Sequence, residues 1–192
     1  MTEEEIKKQL EVKNKEIYIN KLNLDLNNNV DSLILTLDGL SNKIINESIN
    51  QIINIAESFH NKDVIEKDIK DYFNLFNEEL INNLDQKKKE IENLIKDNLN
   101  NFKKILEKEN DKINNKLYNY YSNNINLLNN KIQSYYDDSF CKQRINNYLT
   151  NSLKEKLLDK IKETIKGRDI ILINTFKETY QKYQELNKNT IG

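Results

Sequence analysis

One histidine, one cysteine and no tryptophan or proline leave this 192-residue chain few side chains for reactive chemistry. His60 and Cys141 together would supply half of a metal site, and neither has a second ligand at a short recognised spacing. His60 reads as a turn residue within FHNKDV, and Cys141 as a small buried side chain. The acid pairs Glu78–Glu79, Glu90 with Glu92, and Asp137–Asp138 read as solvated helix faces and a loop. Catalytic carboxylates need contrasting surroundings, and divalent-metal sites need several converging oxygens. No glycine-lined nucleophile turn occurs. The stretch IKGRDI offers one glycine, where a phosphate cradle needs several backbone N–H groups ahead of a helix. These residues predict no catalytic, cofactor or metal site, and so a protein that is not an enzyme.

Two groups suit binding better. Residues 142–192 carry eleven bases against six acids, whereas residues 1–141 carry nineteen against twenty-five. Lys154, Lys156, Lys160, Lys162, Lys166 and Arg168 form the densest positive stretch and are candidate phosphate contacts. Glu155, Asp159 and Glu163 dilute them, and only two arginines are available to read bases. Seven of the ten tyrosines gather in LYNYY, in SYYDD and at Tyr180 with Tyr183. Apolar rings with a polar tip suit partly wet interfaces, so Tyr120, Tyr121 and Tyr135 join the candidate interaction surface.

These groups need helices to position them. With no proline and three glycines, breakers are scarce, and the near balance of 31 acids and 30 bases argues against a charge-expanded disordered chain. Thr2 and Glu5 have capping-box spacing, which predicts a first helix to about residue 21. Beyond it, Leu22, Leu24 and Leu26 alternate, as do Leu33, Leu35 and Leu37, which allows a short β-hairpin near 22–37. A helix competes, because Val30, Leu33, Leu37, Ile44, Ile45, Ile49, Ile52 and Ile53 continue one stripe to about residue 58. Gly39 would cost that helix about 1 kcal/mol relative to alanine.

From Val64 onward no stop is evident before YYDDSF. Steps of eleven from Ile69 reach Leu80, Ile91, Phe102, Ile113, Asn124 and Tyr135; steps from Phe73 reach Leu84, Ile95, Leu106, Leu117 and Leu128. Only Asn124 interrupts the apolar series, and the period gives an almost straight stripe. A third row is mixed, with Phe76 and Tyr120 but also Lys87, Asn98, Glu109 and Lys131. Unbroken, residues 64–136 would extend about 110 Å; a fold-back into a helical hairpin is the alternative. Either way the stripe needs cover. Ile91, Ile95, Phe102, Leu106, Ile113 and Leu117 are therefore expected to bury against another chain or an antiparallel return of the same one. Ile145, Leu149, Leu153, Leu157, Ile161 and Ile165 predict a helix ending at Gly167. Asp169 would start a final helix, with IILI as an alternative strand and NKNTIG as a frayed end.

The expectation is an all-α, elongated helical protein in three sections, residues 1–62, 63–137 and 138–192. Its expected role is structural, scaffolding or adaptor, through homo-oligomerisation or a helical protein partner. Nucleic-acid association through the basic C-terminal region is the alternative, and a membrane-active helical bundle a further one, with membrane the least favoured partner. The N-terminal stretch lacks the apolar segment of a secretion signal, which predicts a cytoplasmic or virion-associated setting.

Overall fold

The computed structural model describes residues 1–56, 62–97 and 101–191. Every element among them is helical: α1 (Glu3–Ala56), α2 (Lys62–Asp97), α3 (Phe102–Gln133), α4 (Ser139–Asn147), a π-helical turn (Tyr148–Ser152) and α5 (Leu153–Ile191). His60 and the first half of the turn expected at FHNKDV lie outside the described residues, and its second half, Lys62, Asp63 and Val64, already belongs to α2.

The capping box forms as its spacing predicts: the Thr2 backbone N–H donates to Glu5 Oε2, and the Glu5 N–H donates to Thr2 Oγ1, both at 3.2 Å. The helix does not stop near residue 21. It continues to Ala56, so the 22–37 hairpin does not form. The physical reason is burial: Leu22, Leu26, Val30, Leu33 and Leu37 share an inward stripe of a helix. As a hairpin, they would be split between two strands with little sheet to cover them. The eleven-residue step extends into α1, where Leu22, Leu33, Ile44 and Ile55 are all buried. Gly39 lies in this helix with open space around it.

The stripe from 69 to 135 is carried by two helices, not one rod. α2 and α3 lie antiparallel. Tyr72 meets Tyr121, Phe76 meets Tyr120, and Lys87 meets Asn110. The fold-back buries the stripe without a second molecule. Asn124 stops being an anomaly, because in α3 the buried rows pass through Tyr121, Ile125, Leu128 and Ile132. Asn124 turns aside and donates to Tyr120 O at 2.9 Å.

Asp138 starts α4, its side chain accepting from the Phe140 N–H at 3.0 Å. The π turn that follows has a visible cause. The Leu153 N–H reaches back five residues to Tyr148 O, and the buried Tyr121 hydroxyl donates to the Leu149 carbonyl. Beyond this turn α5 is continuous to Ile191. Gly167 is therefore not a C-cap, Asp169 does not start a helix, and IILI is not a strand. The backbone stays helical at Gly167, where solvent surrounds the missing side chain. NKNTI extends α5 instead of fraying.

The long helices run up, down, up, down. Neighbours are α1–α2, α2–α3, α3–α5 and α5–α1; α1 faces α3, and α2 faces α5, across the diagonals. α1 is about 80 Å long and α2 and α3 about 50 Å each, so α1 and α5 project past one end of the bundle. There they continue as an antiparallel pair, with the Tyr18 and Tyr183 rings stacked at 4.5 Å and Asn14 donating to Asn187 at 3.2 Å.

Candidate functional site: a charged layer and an exposed flank

The interior divides into two apolar clusters. The larger runs from Leu33 to Ile55 on α1, Ile65 to Leu84 on α2, and Ile113 to Ile132 on α3, and it includes α4 and the first half of α5. The smaller joins Tyr18, Leu22, Leu26 and Val30 to Ile91, Ile95, Leu106, Leu172 and Phe176. Ile34 packs against both.

Between them lies a charged layer. Lys87 enters from α2 between Leu84 and Ile91, and Asp169 enters from α5 between Ile165 and Leu172. Across the diagonal, Lys87 Nζ stands 2.8 Å from Asp169 Oδ1 and donates to Asn110 Oδ1, also at 2.8 Å. Asn110 in turn donates to Asp169 Oδ2. Both charged side chains are under a tenth exposed. Burial pushes the Lys87 ammonium below its usual pKa, and the Asp169 carboxylate opposes that shift.

The layer reaches the surface through buried Glu109, whose carboxylate lies 3.1 Å from Lys112. Burial raises the Glu109 pKa, and a hydrogen bond with Glu109 lowers that of Glu90. Lys112 also reaches Glu90 at 3.5 Å. A dry ion pair contributes little net stability, but it fixes which residues stand opposite one another, because a shifted register strands a charge in an apolar core. The layer pins the register of α2, α3 and α5, and an open groove between α3 and α5, lined by Asn110, Asn114, Lys162 and Ile165 among others, lies beside it.

The expected interaction stripe is consumed in the core. Ile91, Ile95 and Leu106 are buried in the smaller cluster, and Ile113, Leu117 and Tyr121 in the larger. Phe102 packs on Phe176 with ring centres 4.6 Å apart. Tyr120 is half-buried against Phe76. The Tyr135 hydroxyl donates to buried Asp68 at 2.6 Å, which pushes its pKa up to about 12, and Lys131 pairs with the same carboxylate at 3.0 Å. These side chains are covered by helices of the same chain, the antiparallel return that was one of the two expected covers. Cys141 is buried as expected.

The basic stretch takes a different course. Lys156, Lys160, Lys162 and Lys166 are exposed along α5. Lys154 instead lies over the Tyr118 ring at 4.0 Å, Lys160 approaches Glu163 at 3.7 Å, and Arg168 donates to Thr36 Oγ1 at 3.2 Å. Among the described residues, no group of three or more His, Cys, Asp or Glu side chains could hold a metal ion. No described helix is long and apolar enough to cross a membrane.

Sequence reasoning missed Lys87, Asp169 and the outer flank of α1 and α2. On that flank Leu35 is 74% exposed, Ile81 is 38% exposed, and an apolar groove separates their helices. No family model, curated protein or solved structure matches the chain.

Proposed function

We propose that this protein is a structural scaffold or adaptor that binds other proteins along the sides of its bundle. The observation that carries this is the paired length of α1 and of the α4–α5 arm, residues 3–56 and 139–191. Each is about 80 Å long. Helices of this length held antiparallel create a long, stiff lateral surface, while the charged layer holds α5 in register with α2 and α3. Exposed Leu35, Leu127 and Phe140 stand on three different helices and give that surface apolar points of attachment. In this form the stripe from 69 to 135 holds the scaffold together, and its outer faces do the binding.

Contact with nucleic acid through Lys156, Lys160, Lys162 and Lys166 is a weaker second function. Lysines spaced along α5 favour it, and Glu155, Asp159 and Glu163 on the same helix oppose it. It would show as binding at low salt that disappears as salt rises.

Gentle crosslinking in native extracts, followed by sizing of the adducts, tests the proposal. A discrete heavier species containing this chain is expected. Recovery of the chain alone, at its own mass of 22.9 kDa, would overturn the scaffold assignment.

A further inference from the structure

Midway along the bundle, the outer side of the α1–α2 seam forms an apolar groove. Ile34, Leu37, Leu80 and Leu84 line its floor, Leu35 and Ile81 stand at its walls, and Asp38 with Asn77 closes one end. Floor residues Leu37, Leu80 and Leu84 belong to the larger core cluster, so the groove opens directly onto the packed interior.

The charge around it has one sign. From Leu22 to Asn42 on α1, and from Asp71 to Gln86 on α2, every charged side chain is an acid. Asp31 and Asp38 lie one turn to either side of Leu35, and Glu78 and Asp85 one turn to either side of Ile81. Antiparallel packing therefore sets four exposed carboxylates around the groove. None of the four is in an ion pair among the described residues.

The neighbouring bases are engaged elsewhere or lie beyond the ends. Lys21 pairs with Asp25, Lys87 turns inward to Asp169, and Arg168 donates to Thr36 on the flank facing α5. Lys43, Lys70 and Lys88 stand past the groove's ends. Four like charges fixed on two rigid helices repel one another and attract a cationic partner. An apolar slot between two helices matches the anchors that an amphipathic helix presents at i, i+3 and i+4.

We propose that this groove receives an amphipathic helix of another protein. Its Leu or Ile side chains enter between Leu35 and Ile81, and its flanking Lys or Arg side chains reach Asp31, Asp38, Glu78 and Asp85. This rests on the scaffold function above and names both the face and the chemistry of one partner.

The test titrates the full chain into a fluorescently labelled amphipathic peptide of about five turns, with a leucine stripe flanked by lysines. A second peptide keeps the stripe and replaces each lysine with glutamate. Expected is saturable one-site binding of the lysine peptide, about tenfold or more tighter than the glutamate peptide. Leu35→Lys should weaken it by a similar factor. So should the fourfold change Asp31→Asn, Asp38→Asn, Glu78→Gln and Asp85→Asn. Ile171→Lys, at an exposed position on α5, should leave it unchanged.

Because the altered side chains are exposed, circular dichroism and melting should match the parent. No binding, or equal binding to all variants, would overturn the groove assignment. A concentration-dependent rise in molar mass that Leu35→Lys abolishes would place a second copy of this chain in the groove, and would also overturn it. A native complex that survives Leu35→Lys would remove the groove yet leave the scaffold function standing.

Discussion

Removing either half of the charged layer should cost far more than removing the layer whole. Asp169→Asn leaves the Lys87 ammonium, 4% exposed, without its carboxylate and facing only neutral amide oxygens in the pair and at Asn110. Lys87→Met leaves the Asp169 carboxylate with only the Asn110 amide hydrogen bond. Breaking a buried pair from one side costs about 3–5 kcal/mol. For a chain of this size that lowers the melting temperature by about 6–20 °C.

The combined change Lys87→Met, Asn110→Leu and Asp169→Leu removes charge and amide together from sites flanked by Leu84, Ile91, Ile165 and Leu172. It should recover most of the loss, or exceed the parent, since apolar replacements of buried ion pairs are often neutral or stabilising. It should also loosen the register, which would broaden the amide spectrum or yield more than one oligomeric species. Urea unfolding with matched m-values is the assay. Single substitutions that fall within about 1 kcal/mol of the parent would show that the layer is hydrated and not a dry pin, and the reasoning would fail.

The π turn predicts that Tyr121→Phe, which strips the donor from the Leu149 carbonyl without changing ring volume, destabilises by about 1–3 kcal/mol in the same urea assay. The buried tyrosines set an alkaline limit. Tyr72 and Tyr121 have folded pKa values raised mainly by burial, so the unfolded chain releases protons that the folded chain keeps. Their contribution is fully present below the ordinary tyrosine range. Above pH 10 it falls by about 1.4 kcal/mol per pH unit for each ring. The last part of the tyrosinate absorbance, from the buried rings, should therefore rise together with loss of helicity, whereas ionisation of all ten tyrosines in a fully helical protein would contradict it. Gly39→Ala and Gly167→Ala, each in an open helical position, should each raise stability by about 0.5–1 kcal/mol, read as higher melting temperatures.

The all-helical, elongated character was legible because burial imposes a period on the sequence. Rows of Ile, Leu and Phe separated by eleven survive a background rich in asparagine. The same rows also misled. Ile91, Phe102 and Ile113 keep phase from α2 into α3, so the repeat fits one unbroken rod as well as the fold-back that the structure adopts. No glycine or proline marks the reversal; what selects it is that α2 and α3 bury each other's stripe.

The charged layer was visible only in part. Lys87 stands eleven residues after Phe76 and twenty-two after Ile65, and Asp169 continues the four-residue series through Ile161 and Ile165. Two opposite charges, each in phase with an apolar row, signalled a buried pair, although each looked like ordinary surface charge in KKKE and GRD. Gly167 resembled a C-cap because glycine suits a left-handed residue, and nothing local showed that the backbone there would stay helical. The groove was not legible at all, since Leu35 and Ile81 come together only through the pairing of α1 with α2.

The most direct test of the account is one distance. With Cys141 replaced by serine, spin labels at Lys70→Cys and Asn130→Cys would sit on adjacent antiparallel helices, near the Asp68–Lys131 pair. Helix axes in such packing lie 8–10 Å apart, so pulsed electron paramagnetic resonance should report a separation of roughly 20–25 Å once the label arms are included. An unbroken rod would place the sites about 90 Å apart. Dilution with a large excess of unlabelled protein separates one chain from two. A short distance that persists on dilution is the predicted result. Its absence, or its loss on dilution, would mean that the stripe is covered by another molecule and would contradict the self-contained bundle.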